Sequence, residues 1–132
     1  MELIIREIPK AMHIADPRQV PAGVFLYTLR PLRLAMLTEG PTPEEQALAG
    51  QHWEYSIDLL KRGILSFAGR TTLPDADCFA IAVIRAGSER EADSIMNADP
   101  AVAGGVFTAK LYPFQPMLMG EWPAKEIAVS YD

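Results

Sequence analysis

Two helix-start signals divide this chain and largely decide which folds it can adopt. Thr42, Pro43 and Glu45 supply a capping residue, a proline at the first helical position and an acid three residues after the cap. Ser88 and Glu91 repeat the capping-box spacing. Because β-branched and aromatic stretches flank each signal, the sequence predicts two helices set between strands.

Four segments have the composition of core strands, and a Pro- and Asp-containing turn joins the middle two into a hairpin. The strands are expected in VFLYTLR (24–30), ILSFAGRT (64–71), CFAIAVIRA (78–86) and VFTAKLYPF (106–114). The order strand, helix, strand, strand, helix, strand predicts an α+β, ferredoxin-like βαββαβ sandwich. In this fold a four-stranded antiparallel sheet carries two helices on one face.

The second helix is expected to end at Asp99, because Pro100 forces the preceding residue out of the helical region. Asp99 is therefore extended, and Gly104 and Gly105 lead on into the last strand. A carboxylate at such a corner either shapes the turn or belongs to a site. For Asp99 alone the turn role is the commoner alternative.

Composition limits the class of protein. The chain has 132 residues, 49% of them hydrophobic, which is enough for one domain with a core. A net charge of −5 disfavours nucleic acid and anionic membranes as partners, and no apolar segment is long enough to span a membrane. The lone Cys78 excludes an intramolecular disulfide and favours a cytoplasmic location. We expect an N-terminal extension over 1–23 and one domain with a C-terminal extension over 24–132.

The strands are apolar on both faces, whereas two helices cover only one face of the sheet. This predicts a homodimer that packs sheet against sheet. The outlying segments 2–8 and 126–132 alternate apolar and polar residues, and we expect them to be additional edge strands.

One face of the first predicted helix carries Leu48, His52, Tyr55 and Leu59. Trp53, Leu60 and other apolar neighbours are expected to widen this face, which places His52 where the helix meets the sheet. A histidine there needs a hydrogen-bond partner.

Two alternatives follow for His52. It is either a core histidine bonded to a backbone carbonyl or water, or a general base accompanied by a carboxylate, for which Asp99 is the candidate. The two histidines of the chain show no paired metal-ligand spacing, so no metal site is predicted, although a metal shared by His52 and Asp99 stays an alternative.

Residues 24–114 resemble the YCII-related domains of the dimeric α/β-barrel superfamily. The likeness rests on HWEYSIDLLKRGIL (52–65), on FAGRT (67–71) and, most specifically, on SEREADSIMNADPAVAGGVFTAKLYPF (88–114). The resemblance implies that His52 and Asp99 line a pocket between helices and sheet as an acid/base dyad.

The same resemblance implies a small, cofactor-independent enzyme of the lyase or isomerase type, acting on a small substrate such as an aromatic or lactone-like molecule. Relatives in the superfamily include muconolactone isomerases and dehydrochlorinases. The alternative is a non-catalytic dimeric domain that binds a small ligand or a partner, in which His52 and Asp99 form a structural hydrogen bond.

Four further residues are candidates for substrate binding. Tyr55 shares the helix face of His52, and Gly104 and Gly105 are expected to give a ligand close access to the backbone. Arg70 stands where the YCII-related domains usually have proline. It either favours an anionic substrate or is a solvated residue at the end of a strand.

Overall fold

A computed structural model describes residues 23–120 of the chain. Residues 23–114 form a compact unit, and residues 115–120, which belong to another unit, contain no helix or strand. The expected edge strands 2–8 and 126–132 and the N-terminal extension lie outside the described residues, so the division into 1–23 and 24–132 stays a prediction. No helix within 23–120 combines the length and apolar character needed to cross a membrane.

The compact unit contains four strands and four helices in the predicted alternation. They are β1 (Val24–Pro31), α1 (Ala35–Thr38), α2 (Pro43–Lys61), β2 (Leu65–Arg70), β3 (Ala80–Arg85), α3 (Glu89–Asn97), α4 (Pro100–Ala103) and β4 (Phe107–Pro113). The strands form one antiparallel sheet in the order β2-β3-β1-β4. This confirms the α+β, ferredoxin-like fold. The helices α1 and α4 were not predicted, because four residues are too few to show helical periodicity.

Both predicted caps form, but they differ in detail. Thr42 accepts from the backbone N–H of Glu45, and the Glu45 carboxylate accepts from the N–H of Thr42, which completes the capping box of α2. Ser88 accepts from the N–H of Glu91 in the same way. The Glu91 carboxylate, however, accepts from Gly87 rather than from Ser88. A Cβ at residue 87 would lie 2.9 Å from Glu91 Oε2, so the glycine makes room for this contact.

The core lies between the sheet and α2 and α3. Alternate residues of β1 and β3 point into it and meet Leu59 of α2, and its fully or nearly fully buried members include Phe25, Tyr27, Leu29, Ile84, Ala92 and Met96. The buried face of α2 is narrower than expected, since Trp53 is 67% exposed and Leu60 is 45% exposed. The helix therefore buries one stripe of side chains, and its flanking apolar residues lie at the surface.

The opposite face of the sheet carries an apolar cluster beside polar residues, since Thr28, Arg30 and Lys110 share this face in the register. Leu26, Ile81 and Val83 are half-buried on it, and Tyr112 lies beside Leu26 in the register of β1 and β4. No helix of the described residues lies over this face.

Candidate functional site

The corner between α3 and α4 holds Asp99 in a fixed position. Its backbone is extended, with φ −59° and ψ 125°, as the following Pro100 requires. Asp99 caps α4, and its Oδ1 accepts a hydrogen bond from the N–H of Ala101 at 2.9 Å. The residue is completely buried. A buried carboxylate is costly unless its oxygens are bonded, so the second oxygen needs a partner as well.

That partner is His52, whose Nδ1 lies 2.5 Å from Asp99 Oδ2. A carboxylate only accepts hydrogen bonds, so Nδ1 carries the hydrogen and the neutral ring has its lone pair on Nε2. The edge of Phe107 also contacts the imidazole, with ring centroids 5.3 Å apart. Asp99 and Phe107 together fix the orientation of the ring.

Gly104 explains how α4 comes close enough to α2 for this contact. A Cβ at residue 104 would lie 2.7 Å from Leu48 Cδ1 and 2.9 Å from the carbonyl oxygen of Pro100. Leu48 is one turn before His52 on α2, so a side chain at residue 104 would separate the two helices at the site. Gly105 has a left-handed φ of 77° and turns the chain toward β4. Neither glycine is among the residues that line the cavity, and both have a structural role in this passage.

Tyr55 also lies outside the lining of the cavity. Its hydroxyl donates to the carbonyl oxygen of Ile95 at 2.7 Å and so ties α2 to α3. Burial, with a smaller contribution from the negative charge of Asp99, raises the pKa of Tyr55.

A cavity of about 390 Å³ lies between the sheet, α1 and α2, and His52 is in its wall. Most of its lining is apolar. Its floor includes Ala68, Ala80 and Ala82, which lie on the face of β2 and β3 that also buries Ile84, and these small side chains leave the space open. The wall and floor are lined by Tyr27, Leu29, Pro31, Met36, Leu37, Trp53, Ser56, Leu65, Gly69, Arg70, Cys78, Phe79, Ile81 and Phe107 in addition.

Arg70 is the one acidic or basic residue, apart from His52, among those lining the cavity. It is the last residue of β2 and lies opposite Ala80 in the register with β3. Its guanidinium makes no ion pair within residues 23–120. The structure therefore brings Arg70 to the same cavity as His52, with its charge available to a ligand.

The short helix α1, which the sequence analysis missed, contributes Met36 and Leu37 to the wall of the cavity. Arg33 fastens this segment to α2, since its Nη2 lies 2.5 Å and its Nε 3.0 Å from the carboxylate oxygens of Glu45. Hydrogen bonds from Arg33 and from the N–H of Thr42 lower the pKa of Glu45 from 4.5 to about 2. The loop between β1 and α2 is thus held by a charged contact on the surface.

Tyr27 is a second cavity residue that the sequence analysis missed. It lies in the middle of β1, is 2% exposed and lines the cavity. Burial, followed by the negative charge of Asp99, raises the pKa of Tyr27. The only sequence signal was a hydroxyl-bearing residue at a core-facing strand position, which does not separate a cavity tyrosine from a packed one.

A metal site built from three or more side chains does not occur in the part of the chain that the structure describes. Of the two residues weighed as shared metal ligands, His52 lines the cavity and Asp99 lies behind it, and they are bonded to each other.

Comparison with known proteins gave a family and a fold. The YCII-related domain matches residues 25–115. No curated protein sequence matches the chain. Among solved structures, the fold is similar to that of 5-chloro-2-hydroxyhydroquinone dehydrochlorinase (TftG) from Burkholderia phenoliruptrix AC1100 in complex with 2,5-dihydroxybenzoquinone, with a TM-score of 0.53 and 19% identity over 70% of this chain and 93% of that one. At this identity the likeness shows the fold alone.

Proposed function

Since the chain belongs to the YCII-related domain family, we propose that it is a small, cofactor-independent enzyme that performs lyase or isomerase chemistry with His52 and Asp99. The observation that carries the proposal is the contact between His52 Nδ1 and Asp99 Oδ2 at the wall of the cavity. It leaves Nε2 as the ring nitrogen available to a bound molecule.

In this proposal His52 is the general base. Its Nε2 lone pair takes a proton from a carbon acid or a phenolic hydroxyl, and the buried Asp99 carboxylate stabilises the imidazolium that forms. The electron pair left on the substrate then either expels a leaving group or is reprotonated at another atom by His52. The first outcome is an elimination, after which the imidazolium gives its proton to the departing group or to water. The second is an isomerisation, in which the same proton goes back to the substrate. In both cases the ring returns to its neutral form.

The substrate we propose is a small aromatic or lactone-like molecule. Trp53, Phe79 and Phe107 supply aromatic surface around the cavity, which suits a flat ring. The neighbour TftG is a dehydrochlorinase of a hydroxylated, chlorinated ring and was solved with a dihydroxybenzoquinone. These features support an aromatic substrate for this chain too.

The test uses Asp99→Asn, which keeps the shape of the side chain. Its amide oxygen can still accept from Ala101, but its NH₂ then faces Nδ1 and moves the imidazole hydrogen to Nε2. The ring can no longer act as a base toward the cavity, so turnover should fall by about 10²–10⁴-fold. Turnover would be measured on hydroxylated, chlorinated aromatic rings and on muconolactone, with His52→Asn beside it. Asp58→Asn is the matched control, because the Asp58 carboxylate pairs with Arg62 on the surface of α2, away from the cavity.

Two outcomes would contradict catalysis by this pair. One is turnover that is unchanged in Asp99→Asn and His52→Asn. The other is a wild-type protein that binds these compounds without converting them. The second result would leave the alternative of a non-catalytic small-ligand-binding domain, in which the contact between His52 and Asp99 is purely structural.

We also propose that a second copy of the chain covers the face of the sheet opposite α2 and α3. The apolar side chains of Leu26, Ile81 and Val83 on that face support this arrangement, because such a cluster is stabilised when another surface covers it and two-fold homodimers are the commonest oligomers. Sedimentation of the wild type should give a dimer at micromolar concentration. Val83→Glu should shift it toward monomer, whereas Leu60→Glu on the exposed side of α2 should not. A monomeric wild type contradicts the proposal.

A further inference from the structure

Tyr27 and Tyr55 both lie near His52, but their hydroxyl groups differ in their hydrogen bonds. The Tyr55 hydroxyl donates to Ile95. The Tyr27 hydroxyl forms no hydrogen bond with any described residue, although the side chain is 2% exposed and lines the cavity. No buried side-chain polar atom among the described residues lacks a hydrogen-bond partner. The unbonded Tyr27 oxygen is therefore accessible from the cavity, where a bound molecule can accept its hydrogen.

The protonation state of Tyr27 limits its role. Burial and the nearby Asp99 carboxylate both raise the pKa of the phenol, so it keeps its proton at physiological pH. A protonated phenol donates a hydrogen bond and does not act as a base. His52 offers a lone pair to the cavity, and Tyr27 offers a hydrogen, so the two residues are suited to different atoms of one ligand.

Tyr27 and Arg70 lie on the same face of the sheet, at two separate positions along the floor of the cavity. Tyr27 pairs with Ala82, and Arg70 pairs with Ala80, so β3 lies between them and their strands are about 10 Å apart. The small side chains of Ala80 and Ala82 leave space for a ligand between Tyr27 and Arg70. A ligand on this floor can present one end to Tyr27 and a negatively charged end to Arg70.

We propose that Tyr27 donates a hydrogen bond to an acceptor oxygen, such as a carbonyl, of a small ring-containing anion whose charged end faces Arg70. This inference rests on the proposed function in taking the cavity as the site, and it names the class of ligand and the residue that orients it. Tyr27 thus selects ligands that carry an acceptor oxygen, and His52 performs the proton transfer.

The experiment compares two benzoates that differ in one acceptor. 4-Acetylbenzoate carries a carbonyl opposite its carboxylate, and 4-isopropylbenzoate has a similar shape without the oxygen. Affinities are measured by NMR titration of the full chain. The wild type should prefer the acetyl compound by about 3–10-fold, the range expected of one neutral hydrogen bond. Tyr27→Phe should abolish that preference, whereas Tyr55→Phe should retain it because that hydroxyl is bonded within the protein.

Arg70→Gln provides a second variant at the exposed end of β2. It should weaken both benzoates by the same factor and leave the preference for the acetyl compound unchanged. The proposal is overturned if the wild type binds neither compound, if it shows no preference, or if the preference survives in Tyr27→Phe. Binding preference needs no turnover. A preference lost in Tyr27→Phe therefore stands even if Asp99→Asn leaves turnover unchanged, and the two proposals fail separately.

Discussion

The two walls of the cavity are built in different ways. One wall is formed by α2, and α4 packs against this helix outside the cavity. There Asp99 is fully buried, both its oxygens are bonded, and Gly104 lets the two helices touch. On the wall formed by α1, the fastening is the exposed ion pair of Arg33 and Glu45. Buried, fully bonded groups resist movement, whereas exposed ion pairs contribute little and are screened by salt. We therefore expect a rigid wall at α2, which holds His52, and an adjustable wall at α1, which can move when a ligand binds.

The largest effect on stability is expected from Asp99→Ala. It removes the cap of α4 and the charged partner of His52, and these losses add to about 2–4 kcal/mol of unfolding free energy. Urea unfolding at neutral pH measures the change. Asp99→Asn, which keeps both hydrogen bonds with the imidazole hydrogen moved, should lose less than about 1 kcal/mol. If both variants lose the same amount, the carboxylate is not held as described, and the rigid wall does not depend on it.

The next effect tests the close approach of α4 to α2. Gly104→Ala places a Cβ against Leu48 and the carbonyl of Pro100, and such overpacking should cost about 1–3 kcal/mol. The helices must move apart, so turnover should fall with stability. Gly50→Ala is the matched control, because nothing lies within 4 Å of its Cβ position on α2. It should stabilise the protein by about 0.5–1 kcal/mol. Equal effects of the two substitutions would show that the helices do not need this contact.

The features that the sequence predicted are those determined by residues close together in the chain. The caps at Thr42 and Ser88 and the alternation along β1 involve neighbouring residues, so the order of elements and the fold followed from them. His52 and Asp99 are 47 residues apart, and no spacing rule connects them. Their pairing came from the family resemblance, whose most specific stretch contains Asp99.

The missed features depend on tertiary structure. The segment that carries Met36 is a four-residue helix, which leaves no periodic pattern. Tyr27 alternates along β1 like any core residue, and only the packed structure shows that its hydroxyl has no hydrogen-bond partner among residues 23–120 and faces the cavity. Trp53 fitted the apolar stripe of α2 by spacing, yet it is mostly exposed because the cavity, rather than the core, lies next to it.

The smallest effect concerns the adjustable wall and is best seen in its dependence on pH. The pKa of Glu45 is lowered from 4.5 to about 2 in the folded protein, chiefly by Arg33. The stability that the pair contributes is therefore complete above pH 4.5 and is lost as the pH falls from 4.5 toward 2. Glu45→Gln should be slightly less stable than the wild type at pH 7, and this difference should vanish near pH 2.

Urea unfolding at a series of pH values, with and without 1 M salt, measures that difference, and Glu54→Gln on the same helix is the control. Salt should shrink the Glu45 effect at pH 7, because the Debye length falls to about 3 Å at 1 M. A difference that is insensitive to both pH and salt would mean that Glu45 acts mainly through its cap on Thr42. Uncharged contacts would then hold the α1 wall in place. The two walls would differ only in how deeply their contacts are buried.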